Sequence, residues 1–346
     1  MPRPLPPELV LLILARVDST DPNVQRNAYR MCCLASRAIC DLAQPFLWRD
    51  LRFNLHSAKG EEKLLRAASA GEMVRHTRSL WLNRVPWRRR RAFEAASAFV
   101  NLERLVVRGR SNPMSEVKLP CSFLRPFQHL RHLTLVSLFF DFTAPLFLPH
   151  LFELRLLGIH DLPESSPFLF SHSTLPALRV LTTSARRGFT LPNDLLDRLD
   201  ALQLHTPFLS HLPSDVRLSH VPKMLAVAAV YSVVDLLDLF QTTQVNNFGL
   251  QVENALCLAL LIETLRDYYP IPSPAALPFA IFLPPPDSDG EVDPRVSELK
   301  RECGTRGIEV VHGQYERWGA WSVSVDFPEY ARRFKRRGEE GKAAEL

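Results

Sequence analysis

Residue types that commonly carry enzyme chemistry are present in this sequence, but not at the spacing of a catalytic motif. There is no GxSxG nucleophile turn, no GxxxxGKS/T phosphate loop and no HExxH zinc motif. Gly304 and Gly307 form a GxxG pair that lacks the leading glycine of a dinucleotide-binding fingerprint. We therefore expect no catalytic residues, no cofactor and no enzymatic activity.

Histidines are the candidate metal ligands, because His129 lies near His132 and His205 lies near His211. His129 and His132 flank Leu130 in a leucine-rich segment, and no cysteine or second histidine pair lies at zinc spacing. We interpret these side chains as ordinary surface or turn histidines and expect no metal. The six cysteines form no CxxC pair, which in a chain of 346 residues without a secretory signal predicts reduced thiols and a location in the cytoplasm, the nucleus or both.

Two basic clusters offer a binding chemistry instead, namely Arg88 to Arg91 and the run from Arg332 to Arg337. They are typical of contacts with an acidic protein or RNA, or of a nuclear-import signal, although Arg88 to Arg91 also fit the solvated start of a helix. The excess of 42 Lys and Arg over 37 Asp and Glu is too small to indicate nucleic acid by itself. A nuclear or RNA-associated factor stays an alternative, and we do not expect nucleic acid as the main partner.

Apolar residues make up 46% of the chain, which is enough for a sizeable core. The apolar run from Met224 to Val234 is closed by Asp235, and so falls short of the roughly 20 residues that a membrane span requires. We expect no membrane partner.

Two helical segments between residues 5 and 48 carry more apolar surface than they can bury against each other. Pro7 suits the first position of a helix, and this helix is apolar on nearly every side between residues 9 and 14. Pro22 predicts the start of the second segment and Pro45 its end. The pattern predicts a small helical bundle that also docks onto a partner.

This two-part pattern resembles the F-box. The family's Leu-Pro-x-Glu-Leu and Ile-Leu positions correspond to Leu5, Pro6, Glu8, Leu9, Ile13 and Leu14. Its serine-arginine turn and closing Pro-Leu-Trp-Arg correspond to Leu34, Ser36, Arg37, Leu42, Ala43, Pro45, Leu47, Trp48 and Arg49. The sequence departs from the family at Ile39, where an aromatic residue is common, and in a long link from Asp18 to Gln25.

The resemblance implies contact with the SKP adaptor of an SKP-cullin-F-box ubiquitin ligase. The residues expected to contact the adaptor are Leu5, Pro6, Leu9, Ile13 and Leu14, and those expected to form the F-box core are Leu34, Leu42, Leu47 and Trp48. The alternative is a helical hairpin that merely caps the region that follows, because terminal repeats need a cap.

A Leu-x-x-Leu-x-Leu template recurs after the first segment. Its copies centre on Leu105, Leu133, Leu154, Leu181 and Leu202, with a partial copy at Leu80. The steps of 25, 28, 21, 27 and 21 residues lie in the range of leucine-rich repeats, which this region resembles. Each copy predicts a strand with alternate leucines pointing inward. Weaker strands are predicted at residues 225–227, 250–252, 280–283 and 308–310, and helices at 61–70, 91–100, 235–240, 256–268 and 294–304.

The asparagine that usually ties down each repeat's turn is missing, since Arg110, Leu138, Ile159, Arg186 and Pro207 stand in its place. We therefore expect an α/β protein in which a small helical F-box bundle precedes an irregular leucine-rich-repeat-like solenoid. The predicted boundaries are residues 1–50 for the F-box, 51–79 for a linker with the first covering helix, 80–327 for the solenoid and 328–346 for a charged, frayed tail.

The expected function is that of a substrate receptor, which holds the SKP adaptor, and through it a cullin, at one end and a target protein along the repeats. Candidate target-binding residues are Glu103, Arg104, Thr134, Arg155 and Gln203, which lie between the inward leucines. A repeat scaffold outside any ligase is the other alternative.

Overall fold

Helices and parallel strands together build this protein, which is of mixed α/β type. The computed structural model describes residues 6–16, 22–85, 90–109, 118–141, 147–157, 173–184, 195, 198–205, 225–228, 248–251, 255–267, 280–283, 294–305 and 308–312. The chain divides into two units, one comprising Met1–Leu151 with Gly158–Asp161 and the other comprising Phe152–Leu157 with Leu162–Leu346. Each unit is described by itself, and the domain boundaries expected at residues 50, 80 and 328 stay predictions.

Three helices open the first unit: α1 (Pro7–Ala15), α2 (Pro22–Ala35) and α3 (Arg37–Arg49). The second predicted segment is therefore two helices, because Ser36 has extended backbone angles and its Oγ accepts a hydrogen bond from the Ile39 amide at 3.2 Å. This serine is an N-cap, and it ends one helix while starting the next. Pro45 was expected to end the segment, but it lies inside α3.

The rest of the first unit alternates strands and helices. These are β1 (Asp50–Asn54), α4 (Ala58–Ser69), α5 (Gly71–His76), β2 (Ser79–Val85), α6 (Arg90–Ala96), β3 (Arg104–Gly109), β4 (Lys118–Pro120), a 3-10 turn (Cys121–Leu124), β5 (His132–Val136) and β6 (Phe139–Asp141). Strands β1, β2, β3 and β5 pair in parallel in that order. The short strands β4 and β6 form a separate parallel pair that the repeat template did not predict.

Two rows of apolar side chains form the inner face of these strands. The first row runs Leu51, Leu80, Leu105, Leu133 and the second runs Phe53, Leu82, Val107, Leu135, with each residue in register with the next. All eight side chains are buried. The inward leucines predicted for Leu80, Leu105 and Leu133 are therefore confirmed. Phe93, Phe123 and Phe127 are also buried in this unit, and their successive ring centroids lie 4.9 and 5.3 Å apart.

The second unit continues the same alternation. Its elements are β7 (Glu153–Leu157), β8 (Val180–Ser184), β9 (Ala201–His205), β10 (Leu225–Ala228), β11 (Phe248–Gln251), α7 (Ala255–Asp267), β12 (Ala280–Leu283), α8 (Pro294–Gly304) and β13 (Glu309–His312). Strands β7 to β13 pair in parallel with their sequence neighbours. The weaker strands predicted at 225–227 and 280–283 are confirmed. Those predicted at 250–252 and 308–310 are confirmed in part, because Val252 lies outside the described residues and Ile308 precedes β13. The helix predicted at 235–240 also lies outside the described residues.

Candidate functional site

The small core of helices α1 to α3 decides which of their apolar side chains stay free. Leu14, Tyr29 and Ala43 are buried at its centre. The Tyr29 hydroxyl donates a hydrogen bond to the Leu14 carbonyl at 3.1 Å, and the Tyr29 and Phe46 rings lie 5.6 Å apart. One side of α1 is thus held against α2 and α3 through a hydrogen bond and an apolar contact.

The other sides of α1 are exposed. Leu12 is 57% exposed and Ile13 is 56% exposed, and Leu9 and Leu11 are exposed as well. We call these four side chains the α1 apolar surface. Single exposed apolar residues are ordinary, but four of them within two turns of one short helix are typical of a protein-docking surface. Helix α2 adds Val24, Met31 and Leu34, which are also exposed.

The residues expected to contact an adaptor are not all exposed. Pro6, Leu9 and Ile13 are exposed, and Leu5 lies outside the described residues. Leu14 is only 1% exposed and belongs to the core, so its assignment as a contact residue was wrong. Leu12 was not predicted as a contact residue, because a helix that is apolar on every side gives no signal for which residues turn inward.

The residues expected in the helical core are not all buried. Leu42 and Leu47 pack against the buried cluster, in agreement with their assignment. Trp48 is half-buried, with its ring 6.4 Å from that of His76, and its carbonyl accepts a hydrogen bond from the Thr77 hydroxyl at 3.1 Å. Leu34 is 79% exposed, so its assignment to the core was wrong. Leu34 lies near the C-terminal end of α2, and the chain leaves helical geometry at Ser36.

The cysteines of this bundle are free thiols. Cys32, Cys33 and Cys40 are half-buried and none forms a disulfide. Burial raises the pKa of the Cys33 thiol, and the neighbouring Cys40 side chain raises it further. A raised pKa keeps the thiol protonated and weakly nucleophilic at neutral pH. This environment is typical of packing rather than of a reactive cysteine.

The five candidate target-binding residues lie in both units. In the first unit, Glu103 lies 3.9 Å from the Arg78 guanidinium, Arg104 is exposed, and Thr134 is half-buried beside them on β5. Arg104 and Thr134 share the face opposite the inward leucines, as predicted. In the second unit Arg155 forms an ion pair with Glu153, and Gln203 lies in the same register row as Arg155, although its side chain is outside the described residues.

The candidate metal ligands do not assemble in the part of the chain that the structure describes. No group of three or more His, Cys, Asp or Glu side chains is placed there to hold a metal ion. His129 stacks on His150 with ring centroids 6.4 Å apart, and both are exposed. His211 and the basic run from Arg332 to Arg337 lie outside the described residues. Of the cluster Arg88 to Arg91, Arg88 and Arg89 also lie outside them, whereas Arg90 and Arg91 begin α6 and Arg91 is exposed, in agreement with a solvated helix start.

Comparison with known proteins gives no family for this chain. No protein-family model matches it, and no curated protein matches it. Over the residues that are described, no helix has the length and apolar character needed to cross a membrane. The described feature of the site is the exposed apolar side of α1.

Proposed function

We propose that this chain is the substrate-receptor subunit of an SKP-cullin-F-box ubiquitin ligase. The observation that carries the proposal is the α1 apolar surface, in which Leu9, Leu11, Leu12 and Ile13 are exposed while Leu14 anchors the helix in the bundle core. Among the described residues, most of the motif residues quoted for the F-box lie on helices α1, α2 and α3. A helix that is fixed in place and apolar on its outer side is suited to binding a preformed partner groove.

The energetics of the exposed side chains support docking. Complete burial of one Leu or Ile side chain contributes about 1.5–3 kcal/mol, and a half-exposed one contributes roughly half of that. Four such side chains together contribute on the order of several kcal/mol, which is typical of the central cluster that dominates a protein interface. The bundle is already folded around Leu14, Tyr29 and Ala43, so little ordering opposes the binding.

The strands supply the second half of the proposed function. In the first unit their inner face is filled by leucines, which leaves Arg104 and Thr134 on the opposite face for a target protein. The receptor would catalyse no step itself. It would raise the effective concentration of the target's lysines near a ubiquitin-loaded enzyme that the cullin carries.

Binding to purified SKP adaptor tests the proposal. We expect the full chain to bind the adaptor, and a variant carrying Leu12→Asp and Ile13→Asp to lose that binding, because both charges would face the partner's apolar groove. Leu65→Asp is the matched control, since Leu65 is also an exposed leucine, at 40%, and lies on α4. Circular dichroism of all three proteins establishes that they are folded.

The outcomes separate the proposal from its alternative. Loss of adaptor binding in the double variant but not in Leu65→Asp supports the docking assignment. A folded wild-type chain that fails to bind the adaptor would contradict it, and would favour a repeat scaffold that acts outside any ligase. Equal binding by the double variant and wild type would contradict the assignment of the α1 apolar surface.

A further inference from the structure

A basic cavity lies in the first unit on the far side of the strands from their leucine core. Its volume is about 230 Å³, and helices α2 and α3 line it together with β1, β2 and β3. Four arginines line it, namely Arg26, Arg49, Arg52 and Arg104. Among the described lining residues they are opposed by one carboxylate, that of Asp50. This excess of positive charge around a partly open cavity attracts an anion.

Arg26 is a cavity arginine that the protein leaves partly unsatisfied. Its Nε is buried and has no hydrogen-bond partner among the described residues. Burial lowers the pKa of the Arg26 guanidinium, and the positive charges of Arg30 and Arg52 lower it further. A buried donor without a partner and a guanidinium repelled by its neighbours both cost folding free energy. An anion in the cavity would offset the repulsion between these guanidinium groups.

Trp81 positions a second arginine of the cavity. The Arg52 guanidinium carbon lies 4.6 Å from the centre of the Trp81 ring, which is within the range of a cation–π contact. The ring is held in turn, because Trp81 Nε1 donates a hydrogen bond to the Ser79 Oγ at 3.1 Å. Arg52 is thus fixed on the ring, and less conformational freedom is lost when it binds a ligand.

We propose that this cavity binds a small phosphate monoester. Guanidinium groups match the oxygens of a phosphate by paired hydrogen bonds, and several converge here from α2, α3 and two strands. The cavity is smaller than the roughly 300–1,000 Å³ of sites for drug-sized ligands, so it suits a phosphate on a small organic body. The alternative is that these arginines are solvated and bind no ligand. The proposal stands independently of adaptor docking, because it uses none of the α1 side chains.

Calorimetric titration of the full chain with O-phosphoserine tests the cavity at constant ionic strength, with unphosphorylated serine as the ligand control. We expect one molecule to bind per chain. Arg49→Gln and Arg104→Gln should each weaken binding about tenfold, because each removes a charge-assisted hydrogen bond. Both side chains are exposed, so these variants should fold normally. Arg125→Gln is the matched control, since Arg125 is an exposed arginine of the same unit outside the cavity lining.

Each possible result of the titration either supports or overturns the proposed phosphate site. Saturable binding that weakens in Arg49→Gln and Arg104→Gln but not in Arg125→Gln supports the site. No binding of O-phosphoserine, equal weakening in all three variants, or equal binding of serine would overturn it. Binding of a phosphorylated peptide but not of O-phosphoserine would overturn the assignment to a small ester, and would point to a phosphorylated protein segment instead.

Discussion

Leucines behave in opposite ways in the opening helices and in the strands that follow them. On α1 and α2, Leu9, Leu12 and Leu34 are exposed, whereas on β2 and β3 Leu80, Leu82 and Leu105 are fully buried. Both regions are rich in leucine, so apolar content alone does not tell which side chains form the protein's own core. The strands use their leucines for the protein's own core, whereas several leucines of the helices stay exposed to solvent.

The difference has a geometric cause. A leucine on an inner strand has an apolar neighbour in register on each side, as Leu105 has Leu80 and Leu133. The nine residues of α1 make about two and a half turns, so one side of the helix can face a small bundle core and the remainder stays outside it. Parallel pairing therefore buries leucines systematically, and a short helix buries only those on one side.

A matched pair of leucine truncations gives the largest expected contrast. Leu105→Ala should lower the free energy of unfolding by about 2–5 kcal/mol, because it removes a fully buried side chain from the strand core. Leu34→Ala should change it by less than about 0.5 kcal/mol, because that side chain is already in water. Urea denaturation measures both. A destabilisation by Leu34→Ala as large as that by Leu105→Ala would show that the two regions do not differ as described.

A matched pair of glycine substitutions tests how tightly α4 packs against the end of β1. At Gly60 on α4, an added Cβ would lie 1.8 Å from the backbone oxygen of Asn54 at the end of β1. Backbone cannot move aside as a side chain does, so Gly60→Ala should destabilise the protein by about 1–3 kcal/mol. Gly71 begins α5 and has no atom within 4 Å of its added Cβ.

Gly71→Ala is the control for this substitution. It should stabilise the protein by about 0.4–1 kcal/mol, because it reduces the freedom of the unfolded chain without a clash. Thermal unfolding of both variants measures the two effects. If Gly60→Ala were neutral, helix α4 would not pack closely against the end of β1.

The strands were predictable from the sequence because their signal is local and repeated. The Leu-x-x-Leu-x-Leu template sets alternate side chains on opposite faces, and Leu105, Leu133 and Leu181 are all buried as it requires. The separate pair β4 and β6 escaped prediction because each strand has three residues, too few to show alternation.

The helices were less predictable, because their signal is ambiguous. Between Leu9 and Leu14 every residue is apolar, so periodicity cannot choose the buried side, and Leu14 was placed on the wrong one. Apolar spacing did not show the break at Ser36, because apolar residues keep helical spacing on both sides of it; only the resemblance to the F-box, with its serine-arginine turn, indicated a turn there. Only the packing of α1 against Tyr29 selects the inward residue, and that contact joins positions 15 residues apart.

Tyr29→Phe should have a smaller effect than Leu105→Ala or Gly60→Ala, and it reports directly on the helical region. Tyr29→Phe keeps the ring that packs against Phe46 and removes the hydroxyl that donates to the Leu14 carbonyl. We expect a loss of about 0.5–1.5 kcal/mol at neutral pH, which is the net contribution of one hydrogen bond. A change smaller than the error of urea denaturation would contradict the role of this bond in holding α1.

The pH dependence of the same variant tests whether the Tyr29 hydroxyl is buried. Burial raises the pKa of Tyr29 above its ordinary value of 10.0, so the folded state holds the phenol proton more tightly than the unfolded state does. The stability that this provides is complete below the unfolded pKa and is lost as the pH rises through the folded pKa. Wild type should therefore lose more stability than Tyr29→Phe when the pH is raised from neutral to above 10.0. Parallel pH curves for the two proteins would mean that the Tyr29 hydroxyl is not buried, and the inward anchoring of α1, on which the exposure of its other side depends, would then be wrong.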